Sequence, residues 1–308
     1  MKRNKQPVLA CVAPDAYKRM LTREPGTLGM GTRFHRRLVP QLAGKKPKLT
    51  NDPYEIGPLA KKLKGKVDGI LLIAPLNRSP HRTIPGPLVN GLPVGIVFSN
   101  QPEDLQPWVD SLRNQNKGSP VWAVLSKWND YFLSRSQRVA KWLRGSNPKT
   151  VETWFADDVT RDELCERLAT GPRLTWYMGH SRSRGLSAYH GVRWPHIEEV
   201  TPFSPCGTVI ALSCDTLKRE RGMFPFGCQW VSHGRTAAFF GSVDSISMQS
   251  TLSMAYEIGA LFENKTVNTI GELITQLEDR LHSTPYLKDT HRAFKSYRII
   301  GNPVQTFF

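Results

Sequence analysis

Short, nearly continuous apolar runs alternate with amphipathic stretches along most of the chain. Residues 8–13, "GILLIAP" (69–75) and "PVGIVFSN" (93–100) are closed by Pro, Asn or Ser, and such runs predict strands covered on both faces. An amphipathic segment at 53–63 and "PEDLQPWVDSLRNQ" (102–115) predict helices, the second with acidic residues in its first turn, where the helix dipole favours them. "NKGSP" (116–120) interrupts the pattern. It predicts a boundary between an N-terminal α/β subdomain over 1–118 and a second unit over 119–308.

The alternation is clearer in the second unit. "VWAVLSK" (121–127), "TVETWFA" (150–156), "RLTWYMGH" (173–180), "GTVIALSC" (207–214), "TAAFFGSV" (236–243) and "YRIIG" (297–301) predict strands. "SRSQRVAKWLRG" (134–145), "TRDELCERLATG" (160–171) and segments near 250–262 and 269–282 predict helices. Thr160 and Glu163 have the spacing of a capping box. Strands separated by helices imply an α/β fold with a largely parallel sheet and right-handed crossovers.

The composition narrows the class. With 308 residues, 39% of them hydrophobic and 22% charged, the chain can bury a substantial core, which excludes a disordered segment. Cys11, Cys165, Cys206, Cys214 and Cys228 are odd in number and form no CxxC pair, so neither a disulfide framework nor a zinc ribbon is expected. His190, His196 and His233 with Cys206 match no zinc spacing. No metal or cofactor is expected. The apolar run near the N-terminus is too short for a secretion signal, and no stretch approaches the roughly 18 apolar residues of a membrane span. A cytoplasmic protein with no membrane partner is the expectation. The net charge of +16 favours acidic partners. Its densest clusters, 45–48 ("KKPK") and 61–66 ("KKLKGK"), read as solvated faces, and no nucleic-acid or phosphate-binding motif is present.

In open α/β sheets, ligands bind at the carboxyl ends of the strands. "RLTWYMGH" ends on His180 and "GTVIALSC" on Cys214. If the two strands are neighbours in register, imidazole and thiol sit side by side, the arrangement that serves a nucleophilic cysteine. Taken singly, a cysteine ending a strand is a small buried hydrophobe and a histidine in a glycine-rich turn is a capping residue. Their joint occurrence, each opening a polar loop, is what points to chemistry. The other four cysteines lack that context and read as packing residues.

"YMGHS" (177–181), "GVRW" (191–194), "VIALSCDT" (209–216), "GRTAAFFGSVDS" (234–245) and "YRIIGNPVQTF" (297–307) together resemble the caspase-hemoglobinase-fold cysteine peptidases of the gingipain and CHAT types. The resemblance covers 121–308. It implies a caspase-like three-layer αβα sandwich with a mostly parallel sheet, preceded by a smaller α/β subdomain. It also implies Cys214 as nucleophile, His180 as general base and then acid, and the amides of Gly179 and Cys214 as oxyanion donors. Two departures stand out: the common Gly-His-Gly reads Gly179-His180-Ser181, and the Asp of the terminal Gly-Asp-Pro is Asn302. Serine tolerates positive φ less well than glycine, which bears on how the imidazole is aimed.

Asp157 or Asp158, ending "TVETWFA", is the candidate to orient the histidine, with helix capping as the alternative. Asp215 and Asp244 are acidic candidates for a pocket reading Arg or Lys, while Arg182 and Arg184 would favour an acidic substrate side chain. Trp194, on the predicted hairpin "SAYHGVRWP", either lines the substrate groove or anchors that hairpin. The resemblance thus implies an endopeptidase acting on proteins or peptides through a thioester, activated by a regulatory protein or nucleic-acid-sensing complex in a bacterial defence system. A catalytically silent scaffold or nucleic-acid-associated binding protein, and a hydrolase or transferase of non-peptide acyl substrates, are the alternatives.

Overall fold

The computed structural model describes residues 8–13, 15–18, 31–36, 56–75, 85–114, 118–127, 129–146, 150–220 and 223–307. The "KKPK" cluster at 45–48 lies outside them. A first group of strands is β1 (Val8–Ala13), β2 (Gly31–Arg36), β3 (Gly69–Ala74), β4 (Leu88–Val89) and β5 (Leu92–Phe98). Then come β6 (Trp122–Ser126), β7 (Val151–Phe155), β8 (Leu174–Met178), the short β9 (Ser181–Arg182), β10 (Gly185–Leu186) and β11 (Val192–Arg193), and finally β12 (Cys206–Leu212), β13 (Thr236–Ser242) and β14 (Tyr297–Gly301). The near-continuous apolar runs are all strands, and β3, β5, β6, β8, β12, β13 and β14 are buried at every position.

One sheet runs in the order β2-β1-β3-β5-β14-β13-β12-β8-β6-β7, with β4 antiparallel on β5. Its pairs are parallel except β13 with β14 and β4 with β5. Because β14 is parallel to β5 and antiparallel to β13, the strands from β2 to β14 run opposite to those from β13 to β7. The carboxyl ends of β6, β7, β8, β12 and β13 therefore gather at one edge, and those of the N-terminal strands at the other. This reversal is not readable from the strand–helix alternation, which says nothing about how the last strand inserts.

Helices cover both faces. On one lie α1 (Ile56–Leu63), α2 (Gln106–Asn114), α4 (Arg161–Ala169), α5 (Trp194–Glu198) and α6 (Phe226–Ser232). On the other lie α3 (Asp130–Ser146), α7 (Met248–Glu263), α8 (Ile270–Ser283) and α9 (Lys288–Phe294). The strand side chains divide with period two: Trp122, Val124, Trp176, Met178, Ile210 and Leu212 enter the second core, while Ala123, Leu125, Tyr177, Val209 and Ala211 enter the first. Sheet between two helical layers is the expected three-layer sandwich. The lysines of "KKLKGK" are exposed around a buried Leu63, a solvated face of α1 and the turn after it.

Helix starts are specified locally. Thr160 caps α4 as its spacing predicts, taking the Glu163 amide at 3.3 Å while the Glu163 carboxylate takes the Thr160 amide at 2.8 Å. Thr269 caps α8 in the same way, accepting the Glu272 amide at 3.1 Å, and is largely buried. Thr269→Ala is expected to cost about 1 kcal/mol in denaturant unfolding, with Thr269→Ser close to wild type. Equal loss in both variants would mean that packing of the Thr269 methyl, not the cap, is what matters.

Candidate active site

The β8–β12 pairing aligns Ala211 with Tyr177 and Leu212 with Met178 in parallel. His180 and Cys214 each follow two residues beyond the last aligned pair, at the edge where the carboxyl ends gather. They thus follow adjacent strands at the same register.

Gly179 is buried because the chain there has no room for a side chain: a Cβ would lie 2.5 Å from the Tyr177 hydroxyl and 3.1 Å from the Lys127 Cβ. Tyr177 needs that space to donate its hydroxyl to the His180 carbonyl at 2.7 Å, and the same carbonyl accepts the Ser187 amide at 2.9 Å. The backbone of the histidine is thus fixed from two sides. Its ring meets Phe132 edge-on, centroids 5.2 Å apart, while the residue as a whole is exposed. Desolvation first, and the Lys127 ammonium second, hold the imidazole below its ordinary pKa. It is therefore neutral, and able to accept a proton, down to lower pH than a free histidine.

Cys214 is half-buried, while the other four cysteines are buried. Its thiol donates to the Ile246 carbonyl at 3.4 Å and accepts the Ile246 amide at 3.3 Å. Among the described residues no hydrogen bond joins thiol and imidazole, and the amides of Gly179 and Cys214 donate to no acceptor. The two free amides are suited to receive a developing oxyanion.

Ser181 bears on the departure from Gly-His-Gly. It is not among the non-glycine residues at positive φ, which are Asn90, Tyr189, His190, Asp215 and Lys265, so no strain attends the serine. Its hydroxyl donates to the Cys214 carbonyl, tying the two site loops together. Asn302 is buried and its side chain accepts the Val304 amide at 3.1 Å, a local turn in which asparagine serves.

Other expectations divide. Asp157 and Asp158 follow β7, and orienting the histidine from there needs β7 next to β8, but β6 lies between them. Both aspartates are exposed, and the residue at the level of Gly179 is Lys127, which follows β6. The structure does not bring either carboxylate to the imidazole. Asp215 (φ 57°) carries its carboxylate 3.5 Å from Lys218 and accepts the Ser245 hydroxyl at 3.2 Å. Asp244 accepts the Ser296 hydroxyl at 3.1 Å and opposes buried Arg298, whose pKa burial pushes down to about 10 against that charge. Asp215 is thus paired with Lys218, while Asp244 acts on Arg298 through space. Trp194 opens α5 immediately after β11, is buried, and packs at a tilt against His233 with centroids 4.4 Å apart. It anchors the β10–β11 hairpin rather than lining a groove. Arg182 is exposed on β9.

Phe132, Lys127 and Ile246 were not foreseen. Lys127 had a legible signal, since it ends an apolar run as His180 does; Ile246 acts through its backbone and had none. Among the described residues, no cluster of His, Cys, Asp and Glu could hold a metal ion, and no helix is long and apolar enough to cross a membrane.

Residues 115–307 match the profile of peptidase family C25. The complex of the pro- and mature domains of Porphyromonas gingivalis RgpB is similar, with a TM-score of 0.72 at 15% identity over 97% of this chain and 79% of that one. The Arg-specific cysteine proteinase gingipain R (RgpB) gives 0.71 at 13% identity over 99% and 79%. Saccharomyces cerevisiae separase, in its complex with securin, gives 0.52 at 13% identity over 85% of this chain and 18% of that one. No curated protein sequence matches. At such identities the likeness establishes the fold, that of the caspase-hemoglobinase peptidases.

Proposed function

The chain belongs to peptidase family C25, and from that premise we propose that it is a cysteine endopeptidase in which Cys214 attacks the substrate carbonyl and His180 moves the proton. One observation carries the reading. Of the five cysteines, the one that is not buried follows the strand adjacent to that of the exposed histidine, and each residue lies two positions past the last aligned pair.

The thiol leaves Ile246 and passes its proton to His180 as sulfur bonds to the carbonyl carbon. The Gly179 and Cys214 amides take the oxyanion, and His180 returns the proton to the departing amine. Water, deprotonated by the same imidazole, then cleaves the thioester. The grip of Ile246 on the resting thiol supports a latent form that substrate or a partner must open. RgpB and separase occur in complexes with a pro-domain and with securin, which supports restraint of this chain too by a protein partner. We assign that role to the surface of residues 1–118, set the boundary with the catalytic unit at 118/119, and place the enzyme in the cytoplasm, within a bacterial defence assembly that includes a nucleic-acid sensor.

The pH profile tests the role of His180. Activity needs the neutral imidazole, so kcat/KM for peptide hydrolysis falls as pH drops through its pKa. Because that pKa is lowered, the acid limb is expected below the ordinary imidazole range. Lys127→Met removes the second cause of the lowering and is expected to move the limb upward, part of the way back. A limb that stays put in Lys127→Met, or that lies at or above the ordinary value in the wild type, would remove His180 from the proton path.

A further inference from the structure

Immediately after His180 the chain folds into the three-stranded sheet β11-β10-β9, and beside it lies a cavity of about 620 Å³. Arg182, Arg184, Arg193 and His190 line it, against a single acid, Glu220, from the segment that follows Cys214. The three arginines are exposed and have no ion-pair partner among the described residues. Ser183, which also lines the cavity, is fully buried, yet its hydroxyl has no hydrogen-bond partner. A buried, unpaired hydroxyl is costly unless a ligand satisfies it.

The rim is held in shape. Tyr189 (φ 55°) and His190 (φ 57°) are successive non-glycine residues in the left-handed region, a conformation costing on the order of 1–3 kcal/mol each that persists only when its surroundings enforce it. Here the buried Tyr189 hydroxyl enforces it, donating to the Trp154 carbonyl and accepting the Ser126 amide at 3.2 Å. The Ser187 amide, bonded to the His180 carbonyl, ties the cavity wall to the site. A preorganised cationic cavity thus lies beside the proposed dyad, while Asp215 faces Lys218 and Asp244 faces Arg298 rather than this cavity.

We propose that this cavity is the recognition subsite for acidic side chains of the substrate, so that the enzyme cleaves acidic polypeptide segments whose carboxylates Arg182, Arg184 and Arg193 hold close to the scissile bond. The inference rests on the peptidase reading for the scissile bond but not for the binding. Guanidinium–carboxylate pairs are charge-assisted and can be bidentate, and three guanidinium groups converging on one cavity add where a single exposed pair would contribute little. No Phe, Tyr or Trp lines the cavity, and His190 is its one aromatic side chain, so the row of aromatic platforms that single-stranded nucleic acids use is missing.

The test uses full-length Cys214→Ala, which binds without cleaving, and fluorescence anisotropy with three labelled decapeptides identical except for glutamates, glutamines or lysines at the same positions. The glutamate peptide is expected to bind about tenfold or more tighter than the glutamine peptide. Additional Arg182→Glu and Arg184→Glu substitutions are expected to abolish that preference, and Arg182→Lys with Arg184→Lys to keep most of it, with unchanged thermal unfolding in both. Equal binding of the glutamate and glutamine peptides overturns the inference. So does preference for lysine, or displacement of the glutamate peptide by a single-stranded oligonucleotide at lower concentration than by unlabelled peptide. In the Cys214 protein, hydrolysis indifferent to charge also overturns it while leaving the peptidase standing. Selective binding without hydrolysis of any peptide upholds the subsite, and covalent capture of Cys214 by a peptidyl thiol-reactive probe then separates a latent peptidase from a silent one.

Discussion

Cys214→Ala is expected to abolish peptide hydrolysis, lowering kcat by about 10⁴-fold or more, and to abolish covalent capture by a peptidyl thiol-reactive probe. The wild type is expected to take up one probe molecule, at Cys214, although the chain has five cysteines. Burial pushes the thiol pKa up to about 12 at Cys11 and Cys206 and about 11 at Cys165, and raises it further at Cys228. These four thiols are both inaccessible and almost wholly protonated at neutral pH, and only the thiolate attacks. Cys214 is half-buried and level with an imidazole that stays neutral. His180→Ala is expected to lose activity nearly as completely, because a nucleophile and its base act as a unit and their effects do not add. Intact-mass spectrometry with peptide mapping reads the adduct. Comparable labelling at several cysteines, or hydrolysis persisting in Cys214→Ala, would sink the assignment and favour a scaffold that keeps the fold without its chemistry.

How far the sequence could be read follows from where the information lies. Apolar runs such as 207–214 and 236–243 are set by burial on both faces, and that is local, so nearly every expected strand occurs within a residue or two of its place. The His180–Cys214 juxtaposition was legible because each residue ends such a run. The order of the strands was not. "TVETWFA" gives no sign that β6 separates it from β8, and the expectation for Asp157 and Asp158 failed on that point. Helix α9, which encloses Phe294, and the very short strands β9 to β11 are too brief for periodicity to reveal. The clasp of Ile246 on the thiol is made by main chain, which any residue would provide. Ser181 illustrates the converse: the sequence flagged it as a departure, and the structure gives it a bond to the Cys214 carbonyl.

Gly301→Val is expected to be among the most destabilising substitutions away from the site. Gly301 ends β14, the strand through which the two oppositely directed halves of the sheet meet. On one side β14 aligns with β13 along its whole length, from Ser242↔Tyr297 to Ala238↔Gly301, whereas on the other only Ile299↔Gly95 and Ile300↔Ile96 join it to β5. Gly301 has φ +94°, and a Cβ there would overlap the carbonyl oxygen of Ala237, which belongs to the sheet and has nowhere to go. Across the seam a Cβ on Gly95 would overlap the Gly301 carbonyl, so the two glycines jointly make the close approach possible. Left-handed strain and backbone overlap together are worth on the order of 3–5 kcal/mol, a large part of a domain's roughly 5–15 kcal/mol, and a fall of about 5–8 °C in Tm follows for a chain of this size. Gly145 supplies the contrast: it lies in α3, and a Cβ there meets nothing within 4 Å. Gly145→Ala is expected to be neutral or to stabilise by up to about 1 kcal/mol. Thermal unfolding of the two variants decides the matter, because equal melting temperatures would mean that the halves are held by their helices rather than by the seam. Since the site loops spring from β8 and β12, beyond β13, Gly301→Val protein that remains folded should still bind the peptidyl probe at Cys214, which separates loss of fold from loss of chemistry.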